Sequence, residues 1–161
     1  MAERDQEARQ ALVGMSVDEQ LRNQSVAQRV MEVDRINLQR LQTLVGIHGW
    51  PKISMVGEDG AHAAWVLVQH ADTDREFQAK VLGLMKQLLP LDEVNVSLVA
   101  YLHDRITRPQ RYGTQGSCAG PGRWEPFELE IPDQVDQLRE QARIQPTQLS
   151  EYISFMGQFC K

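Results

Sequence analysis

The chain predicts a mainly α protein: one compact multi-helix domain over residues 1–161, with a small irregular or β-hairpin element near residues 110–130. Three observations carry this. Apolar residues recur at three- and four-residue spacing through most of the chain. Helix-start and helix-stop residues punctuate those stretches. Glycine and proline crowd between Pro109 and Ile131, where a continuous helix is excluded.

The elements follow in order. Residues from about Ala2 to Val13 place Asp5, Ala8, Leu12 and Met15 on one face and predict a first helix. Ser16 with Glu19 has capping-box spacing, so a second helix runs from there to about Val45, stopped by Gly46 and Gly49. Its apolar stripe is Val26, Val30, Val33, Leu41 and Leu44, interrupted by Asp34 and Asn37. Gly49-Trp50-Pro51 turns the chain into an irregular segment that ends near Gly60.

A third helix, from about Asp59 to Ala71, is apolar around nearly its whole circumference over Ala61–Val68 and is expected to be buried. Thr73 with Glu76 caps a fourth, carrying Phe77, Val81, Leu84, Met85 and Leu88 and stopped by Pro90. Asp92 caps a fifth that reaches Ile106, so Asp104 and Arg105 fall in its last turn. Short strands are expected near Arg111–Gln115 and Pro126–Glu130, joined by the glycine-rich loop. Val135, Leu138 and Ala142 mark one more helix, and Leu149, Tyr152, Ile153 and Met156 a last one closed near Gly157.

Composition excludes several classes. With 42% apolar and 24% charged residues the chain reads as globular. A net charge of −5, with acids and bases interspersed, lacks the basic footprint of a nucleic-acid binder. No apolar run is long enough for a bilayer, and the charged start Met1–Glu7 has no signal-peptide core. Two cysteines, Cys118 and Cys160, define neither a disulfide framework nor a zinc-finger spacing, so a reduced, cytoplasmic setting is the default expectation.

The chemistry-bearing residues interrupt apolar surroundings, where an unpaired polar group costs roughly 1–3 kcal/mol. Gln69 and His70 directly continue the buried third helix. An imidazole titrates at about 6.5 when unperturbed, which suits a general acid or base, and Asp104 or Asp34 is the carboxylate expected to orient it. The plainer reading of His70 is a core histidine satisfied by a carboxylate.

Arg105 presents a fork suited to a ligand carboxylate or phosphate, although a cation at a helix C-terminus is also favourable for stability alone. Gln110, Tyr112, Thr114 and Gln115 offer uncharged donors and acceptors suited to a polar ligand; otherwise they form an edge strand facing water. Asn37 and Gln69 complete the candidate binding set. His62 and His70 lie roughly 80° apart round a helix, without a His-x-x-x-His or Glu-x-x-His spacing, so no metal site and no cofactor are expected. Phosphate-loop and dinucleotide fingerprints are missing, and Gly116–Gly120 matches a nucleophile elbow only in outline.

Several of these residues form motifs: Asp5-Gln6 with Arg9, Asp34 with Asn37, Gly49-Trp50-Pro51, Trp65 followed by Gln69-His70-Ala71-Asp72, Ala100-Tyr101 with Asp104-Arg105, and Gln110 with Tyr112-Gly113-Thr114-Gln115. In this order they resemble a bacterial family known as a domain of unknown function. The resemblance spans nearly the whole chain and implies a compact bacterial domain, without an activity or cofactor. The sequence departs from the pattern at Arg108 and Arg111, which flank Pro109-Gln110 where a more neutral, glycine-containing loop is expected.

Two functions stay open at this point. One is a small enzyme, a hydrolase or group-transfer catalyst acting on a polar small molecule. In that case His70 is the acid/base with Asp104 and Asp34, Arg105 is an anion clamp, and the glutamines position the substrate. The other is a non-catalytic module binding a small ligand or protein partner, with the same cluster fixing its helices.

Overall fold

The computed structural model describes residues 1–10 and 24–161. Among them are seven α-helices and one two-stranded antiparallel sheet, so the protein is mainly α. The chain divides into two compact units, Met1–Val94 and Asn95–Lys161.

The first unit holds α1 (Ala2–Gln10), α2 (Gln24–His48), α3 (Ile53–Gln69) and α4 (Arg75–Leu88). Helix α1 lies against α2 and α3, α2 packs on α3, and α3 packs on α4. The inward seam of α2 is Val30, Asn37, Leu41 and Val45, at helical spacing. Leu44, expected in that seam, is exposed; Val45 takes its place because the row Asn37–Leu41–Val45 keeps strict four-residue steps. The expected capping box at Ser16 and Glu19, and the positions Leu12 and Met15, lie outside the described residues.

Helix α3 begins earlier than the sequence suggests. Residues from Ile53 are already helical, and only Gly57, at φ 73°, breaks the run. A residue without Cβ takes that conformation at little cost, so the segment is a kinked helix and not an irregular loop. The helix is buried on one face only, through Ala61, Ala64, Leu67, Val68 and Gln69, while His62 is exposed. Its C-terminal carbonyls are held by the fully buried Gln78 of α4, whose Nε2 donates to Val68 O at 2.9 Å. Asp74, one residue beyond the expected Thr73, caps α4 by accepting from Phe77 N at 2.9 Å.

The second unit holds α5 (Val96–Ile106), β1 (Gly116–Gly120), β2 (Arg123–Pro126), α6 (Val135–Gln141) and α7 (Leu149–Gly157). Asn95 caps α5 through Ser97 N, whereas Asp92 is left-handed and closes the 3-10 turn Leu89–Leu91 of the first unit. The strands are not those the sequence suggests. The glycine-rich stretch itself forms the hairpin, pairing Gly116 with Pro126 and Cys118 with Trp124. Pro121 and Gly122 (φ 68°) turn it, the order that a type II turn favours.

Beyond the hairpin, Trp124, Val135, Leu149, Tyr152 and Cys160 form a core, and Ala100, Ala142 and Ile144 form another. Gly157 lets α7 meet the turn: a Cβ there would stand 2.6 Å from Gly122 O. Cys118 and Cys160 are joined in a disulfide, so the cysteines left unassigned by the sequence tie the hairpin to the end of the chain.

Candidate functional site

The predicted site residues fall into two groups, one in each unit, and each is described by itself.

In the first unit, His70 is the C-cap residue of α3. The carboxylate that meets it comes from α1: Asp5 Oδ2 stands 2.9 Å from His70 Nδ1. Asp5 is only 1% exposed, while the His70 side chain keeps 24% of its surface open. Arg9, one turn along α1, places Nε 3.0 Å from the same nitrogen and Nη2 2.7 and 2.9 Å from the two oxygens of Asp34 on α2. Gln6 donates to Asp5 Oδ2 at 2.8 Å.

One ring nitrogen cannot donate to Asp5 and accept from Arg9 together, and the charges decide between them. Burial alone would raise the Asp5 carboxyl, but the hydrogen bond and charge of His70, with Arg9 and Gln6, hold it below the ordinary value. An ionised Asp5 needs donors, so Nδ1 carries the proton and points it at Asp5. Arg9 Nε then faces Asp5 Oδ1 at 3.5 Å. In the neutral ring this leaves the Nε2 lone pair free, and Nε2 has no protein partner among the described residues. Asp34 has the opposite balance: burial raises its carboxyl despite the Arg9 guanidinium.

Two candidate binding residues of this unit are buried with unmet polar atoms. Asn37 Nδ2 and Gln69 Oε1 have no hydrogen-bond partner among the described residues. Asn37 is one turn beyond Asp34 on α2 and lines a cavity of about 250 Å³ with Met1, Arg4, Val33, Ile36 and Arg40.

In the second unit, Asp104 is fully buried in the last turn of α5 and accepts from main-chain N–H groups. Its oxygens receive Arg111 N at 2.9 Å, Tyr112 N at 3.1 Å, Thr114 N at 3.0 Å and the Thr114 hydroxyl at 3.0 Å. Burial pushes its carboxyl up, yet the His103 ring and these N–H groups outweigh it and the net direction is down. Arg105 donates to Gln115 Oε1 at 3.1 Å.

Gln110, also fully buried, substitutes for a strand. Its Nε2 donates to Gln115 O and Phe127 O at 2.8 and 2.7 Å, and its Oε1 accepts from Gln115 N at 2.9 Å. Tyr112 packs its ring edge-on to His103 and is half-buried, which raises its hydroxyl above the ordinary range. Arg139 closes the loop from below, donating to the carbonyls of Tyr112, Pro146 and Thr147 at 2.7–2.9 Å with its guanidinium over the Tyr152 ring. Asp104 and Gln110 thus spend their polar atoms largely on main-chain geometry, and Thr114 and Gln115 bond within the same network.

Sequence reasoning did not select Asp5, Arg9, Gln78 or Arg139. For the first two a signal existed, since Asp5 and Arg9 share one face of α1 at four-residue spacing and belong to the motif set. Among the described residues no group of three His, Cys, Asp or Glu side chains has a metal-ligand arrangement, and no helix is long and apolar enough to cross a membrane.

Fold and site together define a mainly helical protein with a partly buried Asp–His–Arg–Asp cluster in one unit and a carboxylate-centred loop in the other. The chain belongs to a family of unknown function, DUF6624, whose model matches residues 1–159. Comparison with curated proteins and with solved structures gave no match.

Proposed function

We propose that the first unit carries a proton-transfer site, with His70 as the general base or acid of a hydrolysis or group transfer on a polar small molecule. The observation that carries this is the Asp5–His70 contact of 2.9 Å between a buried carboxylate and a ring that still reaches solvent. Asp5 fixes the tautomer and stabilises positive charge on the ring, while Nε2 takes or gives the proton. Arg9 neutralises Asp5 and is itself held by Asp34, which keeps the imidazole in one orientation. Asp104, Arg105, Gln110, Tyr112, Thr114 and Gln115 serve as the scaffold of the second unit in this reading. The disulfide supports work in an oxidising compartment, in place of the cytoplasm expected from composition.

Turnover of p-nitrophenyl butyrate and p-nitrophenyl phosphate tests the reading, beside crystals soaked in a metabolite mixture. His70→Asn and Asp5→Asn are expected to lower any turnover by about 10²–10⁴-fold while the helical circular dichroism signal is kept. Turnover unaffected by His70→Asn, or no turnover together with no ligand density at Nε2, overturns it.

A further inference from the structure

We infer that the cavity between α1 and α2 binds a small organic anion, a carboxylate with a short apolar body, through Arg4, Arg40 and the side-chain amide of Asn37. This rests on reading the first unit as the ligand-bearing half, but it concerns binding and not proton transfer.

The cavity has about 250 Å³ and is lined, among the described residues, by Met1, Arg4, Val33, Ile36, Asn37 and Arg40. That volume suits a ligand of a few heavy atoms, below the size of an ordinary cofactor pocket. Two arginines line the cavity, one from each helix, and neither makes an ion pair among the described residues. A pair of such forks raises the local positive potential and matches the planar geometry of a carboxylate.

An independent observation points to the same place. Asn37 is only 5% exposed, in the middle of the α1–α2 seam, and its Nδ2 has no partner among the described residues. Buried amide groups are nearly always hydrogen-bonded, so an unmet one on a residue that lines the cavity marks a place where an acceptor belongs. Val33 and Ile36 complete the wall with aliphatic surface, which favours an anion bearing a hydrocarbon portion over a bare inorganic ion.

The cavity shares α1 and α2 with Asp5, Arg9 and Asp34 of the His70 cluster. Arg4 precedes Asp5 on α1, and Asn37 is one turn from Asp34 on α2. A site built on these two helices fits a subsite for the acidic portion of the substrate.

The test uses the whole chain and butyrate as probe, with inorganic phosphate alongside. The side-chain amide resonances of Asn37 are followed by NMR during titration. Saturable displacement of these signals by butyrate is expected, with binding weakened about tenfold or more by Arg40→Ala and by Arg4→Ala. Both arginines are exposed, so these variants keep the fold. Saturation by phosphate and not by butyrate replaces the carboxylate assignment with an inorganic-anion site and overturns the proposal. So does an absence of saturable displacement, or an equal response in the Arg4→Ala/Arg40→Ala double variant. Titrating His70→Asn as well separates the two readings: retained butyrate binding there keeps the anion site even if His70 has no role in turnover.

Discussion

Asp5 and Asp104 are both buried aspartates held below their ordinary titration range, but different neighbours hold them. Asp104 faces mostly fixed main-chain N–H groups, with the His103 ring at 3.4 Å and the Thr114 hydroxyl beside them, so its charge organises a loop. Asp5 faces three side chains, among them the partly open His70 ring, so its charge can act on chemistry. Replacing Asp104 by Asn turns an acceptor of several N–H groups toward them with an amide that also donates. The loss is expected to be about 3 kcal/mol of stability at neutral pH, measured by urea denaturation. The pH dependence follows from the sign of the shift. A carboxyl lowered in the folded state contributes stability above its unfolded value of 3.8, and that contribution fades as pH falls from there through the folded value. The Asn variant should lack that part of the acid sensitivity; an unchanged acid transition would assign it to other carboxylates. At this scale His70, Asp34 and Asp104 could be picked from the sequence as polar residues in apolar stretches. The partner of His70 could not, because Asp5 is 65 residues away and only packing of α1 on α3 unites them.

Among the elements, the clearest stripe was α4, where Phe77, Val81 and Met85 are buried as their spacing requires. The hairpin was legible as a region but not in its strands. Arg111–Gln115 has the residue types of a strand, yet its N–H groups go to Asp104 and the Gln110 side chain, which removes them from any ladder. The glycines pair instead, since the absence of side chains is what lets β1 approach its neighbour. Gly116 shows this most sharply: a Cβ there would lie 2.2 Å from Glu125 O and 2.4 Å from the Trp124 ring. Neither can yield cheaply, one being main chain and the other a buried indole. Gly116→Ala is therefore expected to destabilise the second unit by about 3 kcal/mol, whereas the neighbouring exposed Ser117→Ala stays near neutral. Parallel melting curves of the two variants check this, and equal midpoints would show that β1 can shift to accommodate a methyl group.

On the scale of the whole molecule, helical spacing revealed the class, while the division into Met1–Val94 and Asn95–Lys161 left no linker signature, because no proline- or glycine-rich stretch marks the boundary at Val94. The disulfide was equally silent, since two cysteines 42 residues apart have no diagnostic spacing and only the fold brings them to the end of the hairpin. Its position predicts how the units respond to reduction. Both cysteines lie in the second unit, whose core already includes Cys160 beside Trp124 and Tyr152. Closing a loop of 42 residues limits the unfolded chain by roughly 4 kcal/mol in the entropy model. Cys118→Ser or added dithiothreitol should therefore lower the stability of the second unit by up to about that amount, while the first unit, with no cysteine, keeps its own transition. Hydrogen exchange at Trp124 and Leu67 amides reads the two units separately. Faster exchange at Trp124 alone on reduction is the expected result. Equal acceleration at both amides would mean that the units unfold together, and no acceleration at either would mean that the bond adds nothing to the folded state.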